Sequence, residues 1–242
     1  MKKLAIFDLD GTYFRWQLYH ELVFELKDLG IFSEDTANTL DTALIDWQSH
    51  KKSWHDYEMT VIRALEGKLN GLSTSIFEQA AQAVVKRSGH KLYRYTRKLH
   101  MDLKAKGYYV LAISGSQQEI AESFSKEYDF DDCIGALYER AAGNFSGTIS
   151  RRVPGRKHEI IQEYIDKHPD LTLEGSFGVG DSDGDISMLQ MVDNPIAFNP
   201  SSELLEMARS NGWKIVIERK NIAYTILNGS TNEMIIDDIE KL

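Results

Sequence analysis

Four short segments carry residue types that act on phosphate or gather round a cation. The first is Asp8-Leu9-Asp10-Gly11-Thr12. Two carboxylates so close together repel each other and call for a cation or a shared proton. A hard divalent cation with oxygen ligands meets that need. Gly11 lets the backbone turn sharply and leaves room for a ligand. An Asp-Gly turn closing a strand explains the same residues without any chemistry.

The second segment is Ser114-Gly115-Ser116, ahead of a helix. A hydroxyl and free amides at a helix start form a phosphate cradle; an ordinary N-cap at Ser116, with Glu119 at the capping-box position, is the plainer reading. The third is Arg156-Lys157 after Pro154-Gly155. A cation at a helix N-terminus opposes the helix dipole, which a nearby anion explains. A solvated basic face continuing Arg151 and Arg152 explains it too. The fourth runs Gly178-Val179-Gly180-Asp181-Ser182-Asp183-Gly184-Asp185. Three acids at alternate positions after a buried strand suit a metal site better than an exposed acidic loop. The spacing lacks the closing glutamate of a calcium loop, and a strand rather than a helix precedes it.

The elements that must position these residues can be read from hydrophobic pattern. Residues 4–7, 108–113, 177–179 and 196–198 are apolar at successive positions, as parallel strands covered on both faces must be. Amphipathic stretches at 94–106, 117–128, 156–167 and 201–210 alternate with them. The pattern predicts an α/β fold with a doubly wound, mostly parallel Rossmann-like sheet. In such a sheet the carboxyl ends of the strands converge on one crevice, and all four segments lie at or just after those ends.

Residues 14–89 break the alternation. Four helical stripes run through them: Leu18, Leu22, Val23 and Leu26; Leu40, Leu44 and Trp47; Tyr57, Val61, Ile62 and Leu65; Ile76, Ala80, Ala83 and Val84. The expected organisation is a core of residues 1–13 and 91–220, a helical cap at 14–90 inserted after the first strand, and a C-terminal extension at 221–242 with no clear pattern. No Gly/Ser-rich linker separates cap from core. Residues 140–150, with Gly143-Asn144 and Gly147, read as a hairpin or a plain surface turn.

Composition narrows the function classes. At 242 residues with 42% hydrophobic and 27% charged residues, the chain is an ordinary globular one. A net charge of -9 argues against general nucleic-acid binding, because an acidic surface repels phosphate backbones. A single cysteine, Cys133, excludes an internal disulfide. No run is long enough for an export signal or a membrane span. The expectation is a cytoplasmic protein acting on a small phosphorylated metabolite, with no nucleic-acid or membrane partner.

Together the segments resemble the haloacid dehalogenase-like hydrolase superfamily, most of all its phosphoserine-phosphatase-like branch. The residues that carry the resemblance are Asp8-Leu9-Asp10-Gly11-Thr12, Ser114-Gly115-Ser116, Lys157 and Gly180-Asp181-Ser182-Asp183-Gly184-Asp185, in the superfamily's order, across residues 1 to about 217. The helical insert stands where this branch has its cap. The resemblance implies a magnesium-dependent phosphatase with Asp8 as nucleophile and Asp10 as general acid and base. It implies magnesium on Asp8, the carbonyl of Asp10 and Asp181, with Asp185 supporting the water shell and Asp183 replacing or assisting it. Ser114, Gly115 and Lys157 are implied as holders of the phosphoryl group, and Arg156 is a second candidate for the lysine's role. An acid at position 10 favours hydrolysis, since relatives that stop at the phosphoenzyme carry threonine there.

One departure bears on the substrate. Phosphoserine phosphatases carry a glutamate shortly after the first motif that meets the substrate's amino group; the nearest matching residue here is Gln17. Arg15, Trp16, Trp47, Trp54 and Arg63 either line a cap pocket for an aromatic or acidic leaving group or pack the bundle and its surface. Glu21 is a further candidate. The competing functions are a phosphotransferase or mutase, a non-catalytic phosphate-ligand module, and a phosphatase of lipid head groups.

Overall fold

The strand that carries the first motif, β1 (Lys2–Asp8), is buried from Leu4 onward. Ala5 and Phe7 join one apolar cluster, while Leu4 and Ile6 join another. Alternate side chains of a strand point to opposite faces, so an uninterrupted apolar run marks a strand covered on both sides. The computed structural model describes residues 1–228 and 234–242. In it, β1 is an interior strand, the fourth of nine in the sheet.

Parallel neighbours flank β1: β2 (Tyr109–Gln117) on one side and β5 (Leu171–Gly180) on the other. Outside β2 come β3 (Asp132–Ala141), parallel, and β4 (Asn144–Arg151), antiparallel. Outside β5 come β6 (Asn194–Phe198) and β7 (Lys214–Arg219), both parallel. Asp8 is level with Ile113, and Phe7 with Val179. Asp10 and Asp181, just past their strands, and Ser114, in the irregular end of β2, therefore lie along one edge of the sheet.

Helices cover both faces. Four helices follow β1: α1 (Leu18–Asp28), α2 (Glu34–Gln48), α3 (Trp54–Leu69) and α4 (Thr74–Ser88). With α5 (Arg94–Ala105) and α6 (Gln118–Glu127) they pack on the face that holds Phe7. The opposite face is covered by α7 (Lys157–Lys167), the short α8 (Ile186–Leu189) and α9 (Ser202–Asn211). Leu18, Leu22, Val23, Leu26, Tyr57, Val61 and Leu65 share one apolar cluster with Phe7 and Val110. Of the four helices after β1, α1 reaches the sheet at β2 and α3 and α4 reach β4, while α2 packs on α3.

Local chemistry shapes these elements. Ser53 and Asp56 form a reciprocal capping box that starts α3. The buried stripe on α4 includes Phe77, Ala80, Ala81 and Val84; of the expected positions Ala80 and Val84 are in it, Ala83 is half-buried and Ile76 is exposed. Strand β2 runs past Ile113 to Gln117, with its pairing to β3 irregular over that stretch. Gln117, without a side-chain cap, precedes α6, so Ser116 is not a helix cap. Residues 140–150 form the β3–β4 hairpin, turning at Ala142-Gly143. The C-terminal residues add two antiparallel strands, β8 (Ile222–Asn228), paired between β7 and β9, and β9 (Met234–Lys241), at the sheet edge. Among the described residues no helix is long and apolar enough to cross a membrane.

Candidate active site

Asp8 ends β1 with its carboxylate buried. Lys157, the first residue of α7, places Nζ 2.5 Å from Asp8 Oδ1 and 2.5 Å from Asp185 Oδ1. The lysine side chain is 6% exposed, and the two carboxylates 7% and 1%. This answers why a cation stands at a helix N-terminus: two buried acids hold it there. Burial pulls the lysine's pKa down, but the charges of Asp185 and Asp8 outweigh it and raise the pKa overall. Arg156, beside it, is exposed and pairs with Glu159 at 2.8 Å, which leaves the buried role to Lys157.

Asp185 is held from several sides. Its Oδ2 accepts the N–H of Asp181 at 3.0 Å, the N–H of Ser182 at 3.1 Å and the Ser182 hydroxyl at 3.2 Å. Asp181 accepts the Thr12 hydroxyl at 3.0 Å on Oδ1. Carboxylate oxygens of Asp8, Asp181 and Asp185 lie within 4.8 Å of one another. Asp183 is exposed and outside this cluster, although it lines the same pocket. Gly11 makes the close approach possible: at φ +80° its backbone passes so near Asp181 that a Cβ would stand 2.2 Å from Oδ2.

Three acids around one ammonium leave an uncompensated negative charge. Burial, and then the Asp185 charge, push the Asp181 carboxyl up to about 8. Burial drives Asp8 well above its ordinary range, with Lys157 opposing and Asp185, Asp181 and Asp10 adding to the rise. A divalent cation on these oxygens would remove that penalty, so the donor set fits a hard, oxygen-seeking ion.

Asp10 faces a different set of partners. Its Oδ2 accepts Ser114 Oγ at 2.5 Å and Ser116 Oγ at 2.8 Å, and its Oδ1 accepts the N–H of Leu18. Ser114 in turn accepts the Ser116 N–H at 2.9 Å. Burial raises the Asp10 pKa while the Ser114, Leu18 and Ser116 hydrogen bonds pull it down. The Ser114 hydroxyl is therefore turned to Asp10. Sequence reasoning missed Ser116, Thr12 and Ser182 as partners of the acids. Their hydroxyls stand inside the quoted motifs, but nothing in the spacing tells which carboxylate each one meets.

One pocket of about 1570 Å³ opens over this site. Asp8, Asp10, Gly115, Lys157 and Asp181 form its floor, and Gln17 is at its wall. Helix α3 supplies Trp54, Glu58 and Ile62, and the β3–β4 hairpin supplies Tyr138 and Ile149. Trp16, Trp47 and Trp54 pack ring against ring at 5.1–5.6 Å, so the tryptophans mainly build the helical packing, with Trp54 also reaching the wall. Arg15 leaves the pocket to pair with Glu218, and Arg63 is exposed. Glu21 faces Ser88 at 2.8 Å and Lys91 at 3.1 Å, outside the pocket.

The family model described as haloacid dehalogenase-like hydrolase matches residues 5–190. Phosphoserine phosphatase SerB1 of Mycobacterium tuberculosis (strain H37Rv) is 29% identical over 129 residues, which take in 52% of this chain and 41% of the relative. The chain thus spans under half the length of that protein. Histidinol-phosphatase of Neisseria meningitidis serogroup C is 25% identical over 229 residues, covering 89% of this chain and 99% of the relative. A crystal structure of a protein of unknown function from Bordetella pertussis Tohama I superposes with a TM-score of 0.73 at 18% identity, over 90% of this chain and 99% of that one.

Proposed function

The chain belongs to the haloacid dehalogenase-like hydrolases, and from that premise we propose that it is a magnesium-dependent phosphatase that hydrolyses a small phosphomonoester through an aspartyl-phosphate on Asp8. The observation that carries this reading is the shared contact of Lys157 with Asp8 and Asp185, beside Asp181 and below an open pocket. Helices α1–α4 act as the cap over that pocket. The names of the two relatives, a phosphoserine and a histidinol phosphatase, support a phosphomonoester as the substrate class.

Asp8, the Asp10 carbonyl and Asp181 would hold the magnesium, with Asp185 fixing the Asp181 backbone through its N–H. When bound, the ion supplies charge neutralisation at the phosphoryl oxygens. In the first step a carboxylate oxygen of Asp8 forms a bond to phosphorus while the ester P–O bond breaks. Asp10 gives its proton to the departing oxygen, which leaves as the free alcohol. Its raised pKa keeps that proton available, and the Ser114 and Ser116 hydroxyls fix the direction it is given.

In the second step Asp10, now ionised, takes a proton from a water that attacks phosphorus. The bond to Asp8 breaks, and inorganic phosphate and the free Asp8 carboxylate remain. Lys157 holds Asp8 in position and offers its charge to a phosphoryl oxygen through both steps. The test is phosphate release from a panel of phosphomonoesters with magnesium, using Asp8→Asn as the blank. Release that depends on Asp8 is expected; release from no ester of the panel would overturn the reading.

A further inference from the structure

The leaving-group side of the pocket is acidic and carries a buried hydroxyl that lacks a well-formed hydrogen bond. Glu58, in the middle of α3, lines the wall close enough to Asp10 and Asp183 to feel both charges. In the proposed reaction Asp10 serves the departing oxygen, so Glu58 stands beside the leaving group and not beside the phosphoryl oxygens. Tyr19 lines the same wall at 8% exposure, and its hydroxyl lies against the Glu58 carboxylate without forming a well-made hydrogen bond. A buried donor left unpaired costs free energy unless a ligand completes it.

The charges of the wall agree in sign. Glu58, Glu66, Asp183 and Glu203 face Arg152 and His55, and Arg152 is already paired with Glu66 at 3.3 Å. Lys157, at the floor, is taken by Asp8 and Asp185. An anionic leaving group meets repulsion here, and a cation meets a half-buried carboxylate. Trp54, on the same wall, adds an aromatic ring, a group that attracts ammonium ions.

Resting on the phosphatase reading above, we propose that Glu58, with Tyr19 beside it, selects phosphomonoesters whose leaving alcohol bears a protonated amine and no carboxylate. Gln17 lacks the charge for that task, and Glu58 brings it from a different helix. Burial raises the Glu58 pKa, and Asp10 and Asp183 add to the rise while His55 and Tyr19 oppose it. An ammonium ion supplies the counter-charge that the free pocket lacks. The pocket volume leaves room for a larger body behind the amine.

The test uses O-phosphoethanolamine and its N-acetyl derivative, which loses the ammonium charge and gains a small acetyl group. O-phosphoserine, which adds a carboxylate, is the third probe, and para-nitrophenyl phosphate reports turnover independent of the amine. For the unmodified enzyme, kcat/KM for O-phosphoethanolamine is expected to exceed that of each of the other two alcohol esters by at least about tenfold, the size of one charge-assisted hydrogen bond. In Glu58→Gln the preference over the N-acetyl ester is expected to collapse toward unity, chiefly through KM. Tyr19→Phe is expected to reduce the same preference by a smaller factor.

Equal rates on the charged and acetylated esters in the unmodified enzyme would overturn the selection while leaving hydrolysis intact. That arm needs no variant, so it decides the matter even if Glu58→Gln does not fold. A faster rate on O-phosphoserine than on O-phosphoethanolamine would overturn the exclusion of the carboxylate. Turnover of none of the probes, para-nitrophenyl phosphate included, would overturn the phosphatase reading and this proposal with it.

Discussion

The Lys157 ammonium stands 2.5 Å from an oxygen of Asp8 and 2.5 Å from an oxygen of Asp185, with all three side chains buried. Removing one partner from a buried ion group leaves uncompensated charge in a poorly solvated place, at a cost of about 3 to 5 kcal/mol. Lys157→Met is therefore expected to lose about 3 kcal/mol of stability at pH 7, read from the urea midpoint. Magnesium is expected to restore part of the loss by supplying positive charge to the same acids. An unchanged midpoint would show that the carboxylates do not depend on the lysine.

Much of this site could be read from the order of the motifs, because Asp8, Lys157 and Asp181 are fixed by strand ends and helix starts. What could not be read is which hydroxyl serves which acid. Ser114 looks like a phosphate ligand or a helix cap in sequence, yet the extension of β2 to Gln117 turns Ser114 and Ser116 toward Asp10. Strand β3 was hidden because only part of it, such as Ile134 to Ala136, is buried. Strands β8 and β9 lie at one side of the sheet, β9 as its edge, and with polar and exposed positions among them they give little periodic signal. Glu58 belongs to no motif: one acid on an amphipathic helix looks like every other until the fold aims it at the pocket.

Gly11 is the point of closest approach between the first and fourth motifs. With φ at +80° and a would-be Cβ 2.2 Å from Asp181 Oδ2, Gly11→Ala must displace either the turn or the acid. The backbone strain alone costs about 1 kcal/mol. The expected outcome is a small fall in melting temperature and loss of the rise that magnesium is expected to give the unmodified protein. A variant that keeps the full magnesium-induced rise would show that Asp181 does not need this contact to hold the ion.

His20 offers a test of the helical packing by pH. Its ring is fully buried with neither nitrogen hydrogen-bonded, among Trp16, Tyr19, Trp54 and Tyr57 at ring distances of 4.2–5.8 Å. Burial lowers its pKa from 6.5 to about 3. Above pH 6.5 the ring is neutral in both folded and unfolded chains, and the folded state loses nothing. As pH falls through 6.5 toward 3, the unfolded chain takes up a proton that the folded chain resists. Stability then drops by about 1.4 kcal/mol per pH unit. His20→Phe is expected to lose about 2 to 3 kcal/mol less than the unmodified protein between pH 7 and pH 4.5. Equal losses in urea titrations at the two pH values would mean that the ring finds a partner or water when protonated.

The central claim is that Asp8 itself carries the phosphoryl group between the two steps, and chemical trapping tests it most directly. Turnover with magnesium and a phosphomonoester is stopped with acid, and the protein is reduced with borohydride, which converts an aspartyl-phosphate into homoserine. Peptide mass analysis is expected to find homoserine at position 8, only when substrate is present, and more of it in Asp10→Asn with para-nitrophenyl phosphate, whose leaving group departs without a proton while the release step lacks its base. Phosphate released in the same reaction with an unmodified Asp8, or with the reduced residue at another position, would contradict the account.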